Sequence, residues 1–319
     1  MKILITGTAG FIGFSLAKVL LNDGWEVVGI DNFNDYYDVK LKEDRNKILE
    51  ENKNFKLYRL DISNLEELKK VFKENKFDKV CHLAAQAGVR YSIDNPYVYA
   101  DANLVGFVNM INLVKDAGIK QFVYASSSSV YGDTSKVPFN EKEDVSKPIS
   151  LYATTKKANE LIAYTYHHLF GLKTIGLRFF TVYGPWGRPD MAIFKFAQQM
   201  SKGEEIPVYN YGKDMKRDFT YIDDIVDGII KAIDCDYDNE VFNLGKGDPD
   251  ELGEMINIIE KHMGMKAKKD LLPMQKGDVL ITYSDTYKAK KMLGYNPKIT
   301  LNEGIEKFVE WFKQYYNIK

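Results

Sequence analysis

The sequence predicts an α/β fold, a doubly wound parallel sheet joined to a smaller C-terminal α/β domain. Three observations predict it. Apolar, β-rich runs alternate with helix-like stretches through the first 180 residues; a glycine-rich segment follows the first run directly; and after Arg178 loops rich in Gly, Pro and Tyr separate shorter helices. Near-continuous apolar strands belong to a parallel sheet buried on both faces, because right-handed crossovers lay helices over both.

Strands are expected at Ile3 to Thr6, Glu26 to Ile30, Phe55 to Leu60, Lys79 to Leu83, Gln121 to Ala125 and Thr174 to Arg178. Helices are expected at Phe11 to Asn22, Leu65 to Glu74, Tyr97 to Ala117 and Leu151 to Phe170. This assigns residues 1–180 to the first domain and 181–319 to the second, a boundary that middle segments can cross by returning to the first sheet. The second part carries helices at Ala192 to Lys202 and Tyr221 to Ile233, a strand at Glu240 to Leu244, a helix near Glu251 to Met263 and a terminal helix from Leu301 to Tyr316.

At about 150 residues per domain, 319 residues make roughly two domains. Hydrophobic residues at 45% and charged residues at 28% exclude disorder and fibrous classes. With 44 Lys and Arg against 45 Asp and Glu, there is no basic footprint for nucleic acid. Cys81 and Cys235 stand far apart without a CxxC pair, so neither a disulfide framework nor a zinc site is expected. His167, His168 and His262 lack metal-ligand spacing, and His82 beside the fourth strand reads as core. Gly7, Gly10 and Gly13 interrupt the apolar N-terminal run, which argues against a signal peptide. No run reaches the ~18 apolar residues of a membrane span. A soluble, cytoplasmic protein is expected.

Thr6-Gly7-Thr8-Ala9-Gly10-Phe11-Ile12-Gly13 lies between the first strand and the first helix. Gly7 suits a tight turn, Gly10 a close backbone approach and Gly13 close helix packing, while the amides of Phe11, Ile12 and Gly13 open the helix toward a pyrophosphate. That is the Rossmann pattern. Asp31 ends the second strand eighteen residues after Gly13, with Asn32 beside it, where a carboxylate accepts from both adenosine ribose hydroxyls and repels a 2′-phosphate, so NAD is expected rather than NADP. Asp61, followed by Ile62, is placed either at the adenine edge or as a helix cap. The alternative for Asp31 is a solvated loop acid.

Tyr152 and Lys156 stand four residues apart at the start of a helix, on one face. The hydroxyl-rich segment from Ser126 to Ser129 follows the fifth strand, at the carboxyl edge where such sheets bind ligands. Oxidising a secondary alcohol needs a base and a hydride acceptor converging on one carbon. A free phenol, pKa about 10, is a poor base, and a nearby cation such as Lys156 together with a nicotinamide would make it a better one.

The order of these motifs resembles the extended short-chain dehydrogenase/reductase family. The likeness rests on the glycine loop, Leu83-Ala84-Ala85, the serine segment ending Val130-Tyr131-Gly132, Tyr152xxxLys156, and Arg217-Asp218-Phe219 before Tyr221-Ile222-Asp223-Asp224, and so covers nearly the whole chain. The strings Gln86 to Ser92, Arg178 to Pro185 and Gly277-Asp278-Val279 are similar to those of its UDP-glucuronate 4-epimerases.

The resemblance implies Tyr152, Lys156 and Ser127 as catalytic residues, with Ser128 the neighbour that could exchange roles with Ser127. It further implies that Leu83, Ala84 and Ala85 line the NAD site, and that Lys156 also binds the nicotinamide ribose. Residues 1–180 become the NAD-binding domain and 181–319 the sugar-nucleotide domain. Related dehydratases and decarboxylases carry acids in the serine segment where this chain has Ser128 and Ser129. Epimerisation at C4 through a 4-keto sugar needs no such acid. A uronic acid passing through a 4-ketone is a β-keto acid prone to lose carbon dioxide, and Thr181 and Arg188 are the residues expected to hold its carboxylate; for Arg188 a solvent-facing loop arginine is the alternative.

Arg217 and Asp278 are implied for the pyrophosphate and uridine ribose, and Tyr209 and Asn210 for the uracil. Arg90 faces either the diphosphate or a partner subunit. The apolar stripes of helices Tyr97 to Ala117 and Leu151 to Phe170 suit a homodimer. The rival functions are a neutral UDP-hexose 4-epimerase and a non-catalytic NAD-binding protein.

Overall fold

The structure is a computed structural model that describes residues 1–134, 136–274 and 280–318. Its centre is a seven-stranded sheet. The first six strands are β1 (Lys2–Thr6), β2 (Glu26–Asp31), β3 (Phe55–Arg59), β4 (Lys79–His82), β5 (Gln121–Ser127) and β6 (Lys173–Phe179). All pair in parallel, in the spatial order β6-β5-β4-β1-β2-β3. Beyond β6 the sheet gains the strand Asn239–Leu244, also parallel. The topology reverses between β1 and β4, and ligand crevices of doubly wound sheets open at that point, outside the carboxyl ends of the strands.

Successive side chains of a strand point to opposite faces, and each face builds its own core. Ile3 and Ile5 join α1 (Phe11–Asn22) and the helix Ile222–Asp234 on one side. Leu4, Val28 and Val80 join α3 (Leu65–Glu74) and the helices Gly106–Asp116 and Leu151–Phe170 on the other. The helix Ile222–Asp234 and the strand Asn239–Leu244 thus complete the first sheet although they lie beyond residue 180. The remaining small elements stack beside it. Strands Thr181–Tyr183 and Phe219–Tyr221 pair in parallel, as do Glu205–Val208 and Lys268–Leu271, and Lys216–Arg217 is flanked by Asp250–Glu251 and Ile281–Thr282.

Two of the departures from the expectation bear on the cleft. A helix α2 (Val39–Glu50) follows β2 and had no place in the sequence reading. Its weak apolar pattern hides that it buries cations, with Lys42 and Arg45 inside. The helix expected over Tyr97 to Ala117 is broken into Pro96–Tyr99, a π-helical segment Ala100–Val105 and Gly106–Asp116. The π segment seats the buried Asn103, whose amide accepts from Gln86 N at 2.8 Å and donates to Gln86 O and Thr155 Oγ1 at 3.0 Å each. Such insertions re-aim a side chain and occur often at functional sites.

Candidate active site

The glycine loop forms the floor of a cleft of about 790 Å³ at the carboxyl edge of the sheet. Gly7 has φ +81° and donates to Ile30 O at 2.6 Å. A Cβ at Gly13 would lie 2.0 Å from Gly7 O, and one at Gly7 3.0 Å from Ala84 N, so loop, helix and the segment after β4 meet backbone against backbone. α1 starts at Gly10 with no side-chain cap, which leaves the amides of Phe11, Ile12 and Gly13 toward the cleft for an anion.

Asp31 stands at the end of β2 and accepts from Phe33 N at 2.8 Å and Ala9 N at 3.0 Å. Burial pushes its carboxyl above the usual range, against the two amides and the charges of Lys42 and Arg45. Asp61 is no helix cap: Asn64 caps α3, while Asp61 accepts from Ser63 N at 2.8 Å, Ser63 Oγ at 2.6 Å and Asn32 Nδ2 at 2.7 Å. Ile62 and Leu83 to Ala85 line the same end of the cleft. These residues, with the uncapped helix start and the glycine cradle, fit an adenine dinucleotide.

On the other wall, Ser150 caps the helix Leu151–Phe170 by accepting from Ala153 N, and the first turns present Tyr152 and Lys156. Lys156 is buried and donates to Ala125 O at 2.8 Å; burial lowers its pKa to about 7. Burial raises the Tyr152 phenol, opposed by its interaction with the Ser127 hydroxyl and by the charge of Arg188. Ser127 accepts from Ser129 N at 3.2 Å, and Ser128 lines the cleft beside it. Behind them Ser126 Oγ donates to Glu160 at 2.7 Å, and Arg178 meets the same carboxylate through Nε at 2.8 Å and Nη2 at 2.9 Å. This buried ion pair ties β6 and the helix to the serine segment.

Thr181, Arg188 and Arg217 line the same cleft, as does Arg90. Arg217 Nη1 donates to Leu280 O at 2.8 Å. Arg188 does not simply meet solvent: it binds Asp190 through two nitrogens, and Tyr36 Oη donates to the same carboxylate at 3.0 Å. Tyr209 and Asn210 lie in a turn outside the cleft lining, Tyr209 with its ring 5.4 Å from the Arg90 guanidinium and Asn210 donating to Lys213 O. Asp278 lies outside the described residues.

His82 is core: its Nδ1 pairs with Thr6 Oγ1 at 2.7 Å, and burial lowers its pKa to about 3. Cys81 and Cys235 are free thiols, and no helix among the described residues is long and apolar enough to cross a membrane.

Sequence reasoning missed Tyr36, Asp190, Lys42 and Arg45. Lys42, its pKa lowered by burial to about 8, lines the cleft and donates to Asn34 Oδ1 at 2.7 Å. The buried Arg45 joins the two ends of the site, donating through Nη1 to Ala9 O at 2.8 Å in the glycine loop and through Nη2 to Trp186 O at 2.5 Å and Gly187 O at 3.0 Å just before Arg188. Trp186 anchors that loop against Phe14 and Trp311. Asp190 lies two residues from Arg188 and Lys42 eight from Asn34, whereas Tyr36 and Arg45 act across long stretches of chain.

The family model of GDP-mannose 4,6 dehydratase matches residues 4–308. An uncharacterized protein of Methanocaldococcus jannaschii is 54% identical over 313 residues, 98% of this chain and 96% of its own. A UDP-glucuronate 4-epimerase of Thermodesulfobacterium geofontis is 46% identical over 312 residues, 98% and 96% of the two chains. Among solved structures, a UDP-glucuronic acid 4-epimerase from Bacillus cereus in complex with UDP-glucuronic acid and NAD superposes with TM-score 0.91 at 35% identity, covering 99% of this chain and 100% of that one. A match over this length, on a sheet whose glycine loop and Tyr152–Lys156 helix face one cleft, means that the chain belongs to the GDP-mannose 4,6-dehydratase family within the extended short-chain dehydrogenases/reductases.

Proposed function

We propose that the chain is an NAD-dependent 4-epimerase interconverting UDP-glucuronate and UDP-galacturonate through a 4-keto sugar. The observation that carries it is one cleft lined by a phenol, a hydroxyl and two cations, Tyr152, Ser127, Lys156 and Arg188, together with the glycine loop. Gly7, Gly10, the helix amides and Asp31 would hold NAD, which would supply the acceptor for the C4 hydride and the donor for its return. Tyr152 takes the C4 hydroxyl proton and gives it back after the sugar turns about its pyrophosphate link. Ser127 hydrogen-bonds the reacting oxygen. With Ser128 and Ser129 in place of acids, nothing in that segment expels water.

Arg188 and Thr181 hold the sugar carboxylate, and the planar guanidinium suits a planar carboxylate. Arg217 takes the pyrophosphate, Asp278 the uridine ribose, and Arg90 and Tyr209 the nucleotide end. Residues 1–180 serve the cofactor and 181–319 the sugar nucleotide, apart from the helix Ile222–Asp234 and the strand Asn239–Leu244. The protein works as a cytoplasmic homodimer. Its interface is the paired helices near residues 97–116 and 151–170, where Tyr97, Val105, Leu161, Tyr164 and Leu169 are exposed.

Incubating the purified protein with UDP-glucuronate and no added NAD, then separating uronate from pentose products, tests the reading. UDP-galacturonate is the expected product. Turnover of UDP-glucose alone overturns the roles of Thr181 and Arg188. No turnover of either sugar leaves a silent NAD-binding protein.

A further inference from the structure

We propose that Asp190 and Tyr36 are positioning residues that grip Arg188 by one edge of its guanidinium, so that its other edge is presented to the sugar carboxylate. The inference rests on the reading of the substrate as a uronic acid. A guanidinium carries five N–H donors on two bidentate edges. Asp190 takes the inner edge, with Nε to Oδ1 at 3.1 Å and Nη2 to Oδ2 at 2.5 Å. The bonds to Asp190 use Nε and Nη2 and not Nη1, and Arg188, Asp190 and Tyr36 all line the cleft.

Tyr36 fixes the carboxylate from a distant part of the sequence. Its hydroxyl donates to Asp190 Oδ2 at 3.0 Å across 154 residues, and the Arg188 guanidinium lies 5.9 Å from its ring centroid. The ring is itself held, 4.7 Å from that of Tyr91 and so close to Gly88 that a Cβ there would sit 2.5 Å from the phenol oxygen. Burial and the Asp190 charge push the phenol up to about 12, so it remains a donor at neutral pH.

Holding matters because of the 4-keto acid. Decarboxylation breaks C5–C6 when that bond lines up with the C4 carbonyl: the electron pair passes into an enolate, carbon dioxide leaves, and C5 later takes a proton from water. An arginine free to rotate would bind the carboxylate without fixing this torsion. One clamped by Asp190 fixes both its position and its plane, as preorganised contacts do.

The test uses full-length Asp190→Asn and Tyr36→Phe. KM for UDP-glucuronate, the ratio of UDP-pentose to UDP-galacturonate, and the affinity for UDP, which lacks the sugar, are measured beside melting temperature. Asp190→Asn is expected to raise KM about tenfold and the pentose fraction several-fold, with UDP affinity within twofold of wild type; Tyr36→Phe shifts the same readouts about threefold. KM and pentose fraction within twofold of wild type in both variants overturn the clamp. So does a lower KM in Asp190→Asn, the mark of a carboxylate that competes with substrate, and so does an equal loss of UDP affinity, the mark of a loosened site. Wild-type turnover is read first: its absence defeats the substrate reading and the clamp together, whereas its presence with unchanged variants defeats the clamp alone.

Discussion

The two ends of the cleft are built by different physics. The glycine-loop end is backbone: Gly7, Gly10 and Gly13, within seven residues, bring the loop against the first helix and the segment after β4, and α1 starts there without a side-chain cap. The Arg188 end is side chain: Arg188 is set by Asp190, Tyr36 and, through its loop, by Arg45 and Trp186, contributed by separate parts of the sequence. A backbone site is fixed once its helix forms, and one added methyl group ruins it. A side-chain site is adjustable one residue at a time, and so is where substrate choice within this fold can vary.

The sharpest break of that contrast lies between the two ends. Tyr152→Phe should lower kcat by about 10²- to 10⁴-fold while NAD stays bound, as read by turnover and by cofactor content after purification. Activity within threefold of wild type would remove Tyr152 as the base.

Next in size is the support behind the serine segment. Glu160→Gln breaks a buried ion pair and leaves Arg178 uncompensated, which should cost about 3–5 kcal/mol in urea unfolding. Lys40→Ala, which removes a solvent-exposed partner of Asp44, should leave the urea midpoint nearly unchanged. Equal losses would mean that the Glu160–Arg178 pair is solvated.

At the backbone end, Gly13→Ala forces a Cβ to 2.0 Å from Gly7 O and should cost about 1–3 kcal/mol together with most of the retained NAD. A normal NAD content would show that the loop can shift.

The smallest effect is a slope. Burial lowers the folded pKa of Lys156 to about 7, below the 10.5 of a free lysine, so between these values the unfolded chain binds more protons. Stability of the cofactor-free protein therefore gains a rising contribution from pH 7 toward pH 10.5, and none below pH 7. Lys156→Met should flatten the curve between pH 7 and 9 and stabilise the protein most at the low end. An unchanged slope would place the ammonium in contact with water.

Local pattern made much of this legible. Alternating apolar runs revealed the sheet strands, the glycine spacing the loop after β1, and the Tyr152–Lys156 spacing one helical face. α2 stayed hidden because it buries Lys42 and Arg45, which a count of apolar residues reads as surface. The break in the expected Tyr97 to Ala117 helix stayed hidden because its cause, Asn103 against Gln86 and Thr155, is a tertiary contact. The charge of Arg188 near Tyr152 stayed hidden for the same reason: spacing places Lys156 one turn away, whereas Arg188 reaches the phenol only through the fold.

By itself the sequence determined the βα order, the backbone cradle and which groups stand on one turn, because each follows from neighbours within a few residues. Only the tertiary structure decided the placement of Asn239–Leu244 beside β6, the protonation bias of Tyr152 and Lys156, and the setting of Arg188 by Asp190 and Tyr36. Burial and charge fields depend on which distant segments the fold brings together, and no local pattern encodes that.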